Sequence, residues 1–539
     1  MNNYKKKIYS DEWLSFNDPD IPEYFNPTSV LLDRNLANNR GDKTALIVDS
    51  ENFTYRALLY HTCRAANGLQ SLKIEPGSRI LMFGTDSLEY SATWLGAIRS
   101  GVVPAVVSDA YKAESLLYFL RDTSCGALFI DCEQVEKLNA VAEELPHTLK
   151  TVIVRGDRAS VTESGDRETL TFSEMVEGQF DQADPYPLHH NDIAYMFYSG
   201  GTTGTAKGIT HLAHDFYLVP ERHGAFLEYR ESDVVHATSK KYFTHGLWPG
   251  LLIPLYFGAT SVISRLPPTA ENVVKIIEVS KPSKLITVPT IIKNIILFAG
   301  QTRVPDFSSI GLVTSASEKM PPEIFEKFFE FFGLEILDSI GSSEITYEWI
   351  ANRPKDFRRG SLGKPVFGFE AKLVDEEGRE ITEPNKDGEA WIKSKTACFF
   401  YWRKLDKTKE TFIGEWTRTG DTLRFDEDGY FWFSGRSDDV FKVKGLWVSP
   451  IEVEAAITED EAVLEAAVVS FEDKDGLTKP MAFVVLNPGH EATDELAARL
   501  RSGVQKIGGY KVPEQIKFVD SLPRTTLMKI DRRALRSPG

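Results

Sequence analysis

The densest chemistry in the chain is the run Tyr198-Ser199-Gly200-Gly201-Thr202-Thr203-Gly204-Thr205-Ala206-Lys207-Gly208, directly after the apolar stretch Ile193 to Phe197. Its glycines let a backbone approach a ligand closely, while its hydroxyls and one lysine supply donors. Exposed N–H groups, Thr202, Thr203 and Lys207 each offer charge-assisted hydrogen bonds worth roughly 1.5 to 3 kcal/mol, a combination suited to a polyphosphate. It is not a Walker A loop, because Thr205 and Ala206 separate Gly204 from Lys207 and no Ser or Thr follows the lysine. A second polar run, Asp338-Ser339-Ile340-Gly341-Ser342-Ser343-Glu344, follows an apolar stretch. Its Glu344 carboxylate, joined by phosphate oxygens, suits magnesium, which keeps most of its waters.

The elements that must hold these groups follow from hydrophobic periodicity. Apolar runs of four to seven residues alternate with longer amphipathic stretches, the pattern of strands leading into helices. Leu285 to Val288 reads as a strand running through Pro289 into a helical Ile291 to Phe298. Ile310 to Thr314 is a second strand, followed by a helix opened by Pro321-Pro322. Leu334 to Leu337 is a third, turning into a loop from Asp338 to Glu344. Repeated βα units imply a mainly parallel sheet covered by helices, with ligands at the carboxyl ends of its strands. Beyond about residue 360 the texture changes to short strands, with hairpin signals at Asp375 to Gly378, Asn385 to Gly388 and Asp426 to Gly429. A polar segment, Arg436-Ser437-Asp438-Asp439, precedes a tail with a helix at Pro450 to Ile457 and strands at Ala466 to Ser470 and Ala482 to Leu486. The expected fold is therefore α/β: a large N-terminal α/β domain over 1–435 with parallel sheets and a β-rich subdomain, and a small C-terminal α+β domain over 436–539.

Composition limits the classes. The 539 residues carry 62 Lys+Arg against 78 Asp+Glu, a formal net charge of −16, which argues against a general nucleic-acid binder. With 42% hydrophobic and 11% aromatic residues the chain can bury large cores, so disorder is not its dominant state. Cys63, Cys125, Cys132 and Cys398 form no C-x-x-C pair and no zinc spacing, which suits free thiols in a reducing compartment. After the basic start, Ser10-Asp11-Glu12 stands where a signal peptide's apolar region belongs. The most apolar stretch, Leu251 to Ile263, is interrupted by Pro254 and Gly258 and falls short of the roughly 20 residues of a membrane span. The expectation is a soluble, cytoplasmic protein without a membrane or nucleic-acid partner.

The glycine-rich run resembles the phosphate loop of the adenylate-forming superfamily, which includes acyl-CoA synthetases, non-ribosomal adenylation domains and luciferases. Asp338 to Glu344 resembles that superfamily's nucleotide and magnesium segment, Arg418-Thr419-Gly420-Asp421 its ribose segment, and Gly435-Arg436-Ser437-Asp438-Asp439 its hinge. Leu522 to Ile530 resembles the segment that carries its catalytic lysine. Within the superfamily, Phe25-Asn26-Pro27-Thr28 with Leu32-Asp33-Arg34, and Ala351-Asn352-Arg353-Pro354, look most like benzoate-CoA ligases and their relatives.

The resemblance implies roles, with ATP, Mg2+ and CoA as reactants and a small carboxylic acid as substrate. Ser199, Gly201, Thr202, Thr203, Gly204 and Lys207 would bind phosphate, and Ser343 the α-phosphate. Ser317, Glu318, Asp338, Ser339, Ile340 and Gly341 would line the adenine pocket; Asp421, assisted by Arg436, would hold the ribose; Glu344 would hold the metal. Lys529 would stabilise the charge that builds on the phosphoryl oxygens as a carboxylate attacks, an effect of about 10² to 10³ in rate. Asp438 matches the hinge about which the small domain rotates, Lys442 would approach the site in the second pose, and Gly445 would leave room for a thiol arm. Phe243, His245 and Tyr347 would wall the acyl pocket, and His245, where relatives often carry Tyr, would hydrogen-bond a polar substituent. Tyr347 stands where several aryl ligases have His.

Three positions depart from the pattern: Gly200 for Ser, Ala206 for Pro, and Met528 for the Gly before the lysine. The last restricts backbone angles that glycine permits. The leading expectation is activation of a cyclic or aromatic acid as its acyl-adenylate, with transfer to the thiol of CoA. An amide synthetase of the coronafacate-ligase type, using an amino-acid amine, fits the same motifs. A non-catalytic sensor that keeps the fold is a third reading, opposed by Lys207, Glu344, Asp421, Arg436 and Lys529 standing together.

Overall fold

The computed structural model describes the chain except residues 1–3, 163–165, 200–205, 319, 438, 444–445, 475–476, 526–529 and 537–539. It divides into two compact units, one of residues 1–370 and 392–417, the other of residues 371–391 and 418–539.

The first unit is built on two large sheets. One runs, edge to edge, Tyr401–Trp402, Lys207–Leu212, Ile193–Ser199, Val103–Val106, Arg79–Phe83, Ala127–Asp131, Thr151–Arg155, Glu168–Thr171. It is parallel from Ile193–Ser199 onward, and its first two strands are antiparallel additions. The other places Lys284–Thr287 at its centre, flanked on one side by Leu312–Ser315 and Ile336–Gly341 and on the other by Val234–Ala237, Thr260–Ile263 and Thr44–Val48, all parallel. Antiparallel strands close both of its edges. The expected βα alternation is therefore present, since β-branched runs buried on both faces can only be covered by helices.

Pro289 opens the helix Pro289–Gln301 and Pro322 the helix Pro322–Phe332. Their apolar faces, including Ile292, Ile295 and Phe328, bury against Leu285, Val313 and Ile336. The third expected strand runs further than its apolar residues suggest, through Ile336–Gly341, because Ser339 to Gly341 pair antiparallel with Glu348–Ala351. Only Ser342 onward leaves the sheet. The apolar stretch around Pro254 divides into a π-turn Trp248–Leu252, a helix Ile253–Phe257 and the strand Thr260–Ile263. Among the described residues no helix is long and apolar enough to cross a membrane.

The amino-terminal segment belongs to this unit. The guanidinium of Arg222, a fully buried side chain, donates through Nε and Nη2 to the Asp18 carboxylate at 2.7 and 2.9 Å, and through Nη1 to Ser394 Oγ at 2.9 Å. Trp13 Nε1 donates to the Val366 carbonyl at 2.9 Å.

Largely in the second unit, Trp416–Phe425 and Phe431–Arg436 form a hairpin over Asp426 to Gly429, and Glu370–Val374 with Glu380–Ile381 another over Asp375 to Gly378. The third expected hairpin is absent. After Asn385 to Gly388 the strand Gly388–Lys393 lies on the opposite side of Glu370–Val374 from Glu380–Ile381, so the strands flanking that turn do not pair with each other. The tail folds as a three-stranded sheet, Val463–Glu472, Thr478–Leu486 and Gln515–Phe518, covered by the helices Pro450–Thr458 and Asp494–Gln505.

Candidate active site

The strands that flank the glycine-rich run pair with each other. Ile193–Ser199 and Lys207–Leu212 pair antiparallel with Ser199 opposite Lys207 and Tyr198 opposite Gly208. Gly201, Thr202, Thr203 and Gly204 lie outside the described residues. Gly208 sits in a tight approach: a Cβ there would meet Trp402 Cβ at 3.0 Å and the Tyr198 ring and hydroxyl at 3.1 Å. The Lys207 ammonium sits 4.4 Å above the centre of the Tyr401 ring and 3.5 Å from its hydroxyl. That hydroxyl donates to Glu344 Oε1 at 2.9 Å. Lys207 and Glu344, far apart in sequence, thus meet at one tyrosine on the adjoining edge strand.

The Ser343–Glu344 segment is held by its backbone. His211 Nε2 donates to the Ser343 carbonyl at 2.8 Å, and the amide of Cys398 donates to the Glu344 carbonyl at 2.7 Å. His211 Nδ1 faces Asp215 Oδ2 at 3.1 Å, and the same carboxylate oxygen accepts from the Tyr195 hydroxyl at 3.0 Å. Just past Glu344 the buried Thr346 adopts φ +78°, ψ −51°, unusual for a β-branched residue, at a cost of about 1 to 3 kcal/mol. Its hydroxyl donates to the Thr396 carbonyl at 2.5 Å.

Of the residues expected around adenine, Asp338 and Ser339 are buried, Ile340 and Gly341 half-buried, and Ser317 and Glu318 exposed. Glu318 Oε2 accepts from the Thr290 amide at 3.1 Å and hydroxyl at 2.6 Å, which caps the start of Pro289–Gln301. Burial pushes the Asp338 carboxyl well above the usual range. Gly341 admits the returning chain, since a Cβ would lie 2.5 Å from the Tyr347 carbonyl oxygen.

Two of the three expected acyl-pocket side chains come together. The rings of His245 and Tyr347 are buried 6.0 Å apart, while Phe243, packed on Tyr242, is exposed. Burial lowers His245 to about 4, so its imidazole is neutral near pH 7. Its Nε2 lies 3.8 Å from the carboxyl of Glu348, a residue that sequence reasoning missed. Glu348 is itself buried, and desolvation pushes its carboxyl up to about 7.

In the second unit Asp421 and Arg436 are register partners, and Arg436 Nη1 donates to Asp421 Oδ1 at 2.8 Å. Gly420, between Thr419 and Asp421, takes φ +68°, a conformation that suits glycine. Lys442, on Phe441–Val443, pairs with Glu376 at 2.5 Å. Asp438, Gly445 and Lys529 lie outside the described residues. Tyr401, His211, Asp215 and Glu348 carried no sequence signal beyond their type. The i,i+4 spacing of His211 and Asp215 was the only available hint.

Comparison with known proteins places the chain in a wider group. Residues 32–402 match the model of the AMP-binding enzyme family, and residues 452–529 that of the AMP-binding enzyme C-terminal domain. The chain is 37% identical over 525 residues to a benzoate–CoA ligase of Thauera aromatica, covering 96% of this chain and 97% of that protein. It is 34% identical to a 4-hydroxybenzoate–CoA/benzoate–CoA ligase of Rhodopseudomonas palustris, covering 95% and 94%. Among solved structures it is similar to an anthranilate CoA ligase in complex with anthranoyl-AMP, with TM-score 0.88, 34% identity and coverage of 96% and 97%. It is also similar to a benzoate CoA ligase from Burkholderia xenovorans, with TM-score 0.85, 33% identity and coverage of 95% and 100%.

Proposed function

Because this chain belongs to the AMP-binding enzyme family and is an adenylate-forming acid–CoA ligase, we propose that its substrate is an aromatic carboxylic acid and that the named side chains divide two half-reactions. In the first, a carboxylate oxygen attacks the α-phosphorus of ATP and pyrophosphate leaves, giving an acyl-adenylate. In the second, the thiol sulfur of CoA attacks the acyl carbonyl and AMP leaves. The observation that carries the reading is the meeting of Lys207 and Glu344 at Tyr401, beside the mouth of the glycine-rich hairpin. A cation aimed at phosphate and a carboxylate suited to a divalent ion are held there by one ring.

The donor set fits magnesium. Glu344 is one half-buried carboxylate, and among the described residues no cluster of three or more His, Cys, Asp or Glu competes as a metal cage. One carboxylate plus substrate phosphates is the usual arrangement for this ion, which would neutralise phosphate charge. Lys207 would hold the outer phosphates. The Asp421 carboxylate, kept in place by Arg436, would accept from the ribose hydroxyls. Lys529 would supply the second cation during adenylation, and Lys442 and Gly445 would serve the thiol step. We assign the large domain to residues 1–435 and the mobile one to 436–539, with Asp438 at the pivot. All four cysteines are free, which supports work in a reducing cytoplasm.

The test is mass spectrometry of products from ATP, magnesium, pooled aromatic acids, CoA and the twenty amino acids. Acyl-CoA masses are expected. N-acyl amino acids that persist without CoA would instead make the acceptor an amine.

A further inference from the structure

The helix Ala113–Thr123 reaches both ends of the glycine-rich run. Its residues Tyr118 and Asp122 lie one turn apart and share a half-buried face, while Leu116, Phe119 and Leu120 are buried. The Tyr118 hydroxyl donates to the Ala206 carbonyl at 2.6 Å, and the Tyr198 hydroxyl donates to Asp122 Oδ2 at 2.7 Å. Tyr198 is close to the end of the strand that enters the run, and Ala206 immediately precedes the strand that leaves it. Phe119 packs edge-on against the Tyr198 ring with centroids 4.9 Å apart. The helix is also tied to the edge strand that carries Tyr401, because Trp402 Nε1 donates to the Asp122 carbonyl at 2.9 Å.

The Tyr118 hydroxyl does nothing for its own helix. It reaches a carbonyl 88 residues away, and the contact of its ring with Phe119, 5.5 Å between centroids, needs no oxygen. Gly200, Gly201 and Gly204 give the run freedom to fit a polyphosphate but no means of holding itself, since glycine loses more conformational freedom on ordering than any other residue. Ala206 leaves open the φ angle that a proline would fix. Order must therefore come from the ends. A carbonyl and the following N–H belong to one planar peptide, so holding the Ala206 oxygen sets the direction in which Lys207 starts.

We propose that Tyr118 is a positioning residue for the triphosphate: by holding the Ala206 carbonyl, it aims Lys207 at the outer phosphates of ATP. The inference rests on reading the glycine-rich run as the phosphate-binding segment. The Tyr118 hydroxyl, already engaged, acts through the backbone and not on a substrate atom. Lys207 is then fixed twice, at its backbone by Tyr118 and at its ammonium by the Tyr401 ring 4.4 Å away. A lysine oriented before ATP arrives lowers the ordering cost of binding. AMP lacks the outer phosphates and is indifferent to that orientation.

The experiment is calorimetric titration of the full-length native protein and of Tyr118→Phe with ATP and, separately, with AMP, both with magnesium. Tyr118→Phe is expected to weaken ATP binding about fivefold, the effect of one hydrogen bond to a neutral carbonyl, and to leave AMP affinity within about twofold. A structural defect would weaken both nucleotides together. Equal losses for ATP and AMP overturn the proposal, as does an unchanged ATP affinity. The second arm repeats the substitution in Lys207→Met. There Tyr118→Phe should change ATP affinity by less than about twofold, because residues acting through one another are not additive. A full fivefold loss in that background shows a route other than Lys207 and overturns the proposal. A native protein that binds no ATP overturns both this role and the phosphate-binding reading, whereas the expected pattern without acyl-CoA product from any aromatic acid supports Tyr118 and counts only against the proposed substrate.

Discussion

Tyr401 donates its hydroxyl to the carboxylate of Glu344 at 2.9 Å while its ring carries the ammonium of Lys207 at 4.4 Å. One side chain therefore fixes both the cation and the carboxylate that the phosphates would meet. Tyr401→Phe keeps the ring beneath Lys207 and releases Glu344. The expected result is a fall of about ten- to a hundredfold in pyrophosphate release with a raised magnesium requirement, since one neutral-to-charged hydrogen bond is worth about 1.5 to 3 kcal/mol. Titrating magnesium against initial rate checks it; an unchanged magnesium curve counts against Glu344 as the metal residue.

The two lysines should separate by half-reaction. Lys529→Ala is expected to slow acyl-adenylate formation by about 10² to 10³ and to spare thioester formation from adenylate supplied ready-made. Lys442→Ala should show the reverse pattern. Single-turnover measurements of each half give the answer, and equal loss in both halves for either variant would reassign that lysine.

How far the site was legible in the sequence depends on how local each signal is. The strand before the glycine-rich run and the proline-opened helices announce themselves, because turn chemistry and apolar runs act over a few residues. Tyr401 does not. It lies in a two-residue strand whose only claim on the site is pairing with Lys207–Leu212 at the sheet edge. Glu348 adjoins Tyr347, a residue the resemblance had picked out, yet its burial follows from how far Ile336–Gly341 extends before the chain returns beside it. Phe243 shows the opposite failure, since an aromatic type does not reveal which face it takes.

His211, Asp215 and the Ser343 carbonyl form a line of contacts behind Glu344. Asp215→Ala strands the buried Tyr195 hydroxyl and His211, which should cost about 3 kcal/mol of stability. Because His211 then no longer holds the Ser343 carbonyl, adenylation should fall further than unfolding explains. Urea unfolding alongside initial rates at low temperature measures both; full activity in the folded fraction would show that the Glu344 segment is positioned without this line.

Glu348 also sets a pH signature. Its carboxyl is raised from 4.5 to about 7 on folding, so between those values the folded state binds more protons than the unfolded one. Its contribution to stability is therefore undiminished at low pH and falls as pH rises through that window. His245, His223 and His236 are lowered to about 4 and act in the opposite direction, stabilising as pH rises from about 4 to 6.5. The native trend is a sum, but the difference between Glu348→Gln and native isolates the glutamate. That difference in melting temperature is expected to grow in favour of the variant from pH 4.5 to about 7 and then level off. A flat difference across thermal scans would place the ionisation outside this range.

Arg222 and Asp18 join the amino-terminal segment to the interior through a charge that cannot be left alone. Trimming the chain past Asp18 would leave a desolvated guanidinium with Ser394 and the face of the Phe369 ring but no counter-charge from Asp18, a loss of about 3 to 5 kcal/mol. The leading residues are thus a keystone whose removal is felt in the body of the protein. A neutral replacement of Arg222, such as Met, should restore tolerance to that trimming, which makes the pairing of these two residues, rather than the length of the leader, the property to preserve in engineered versions.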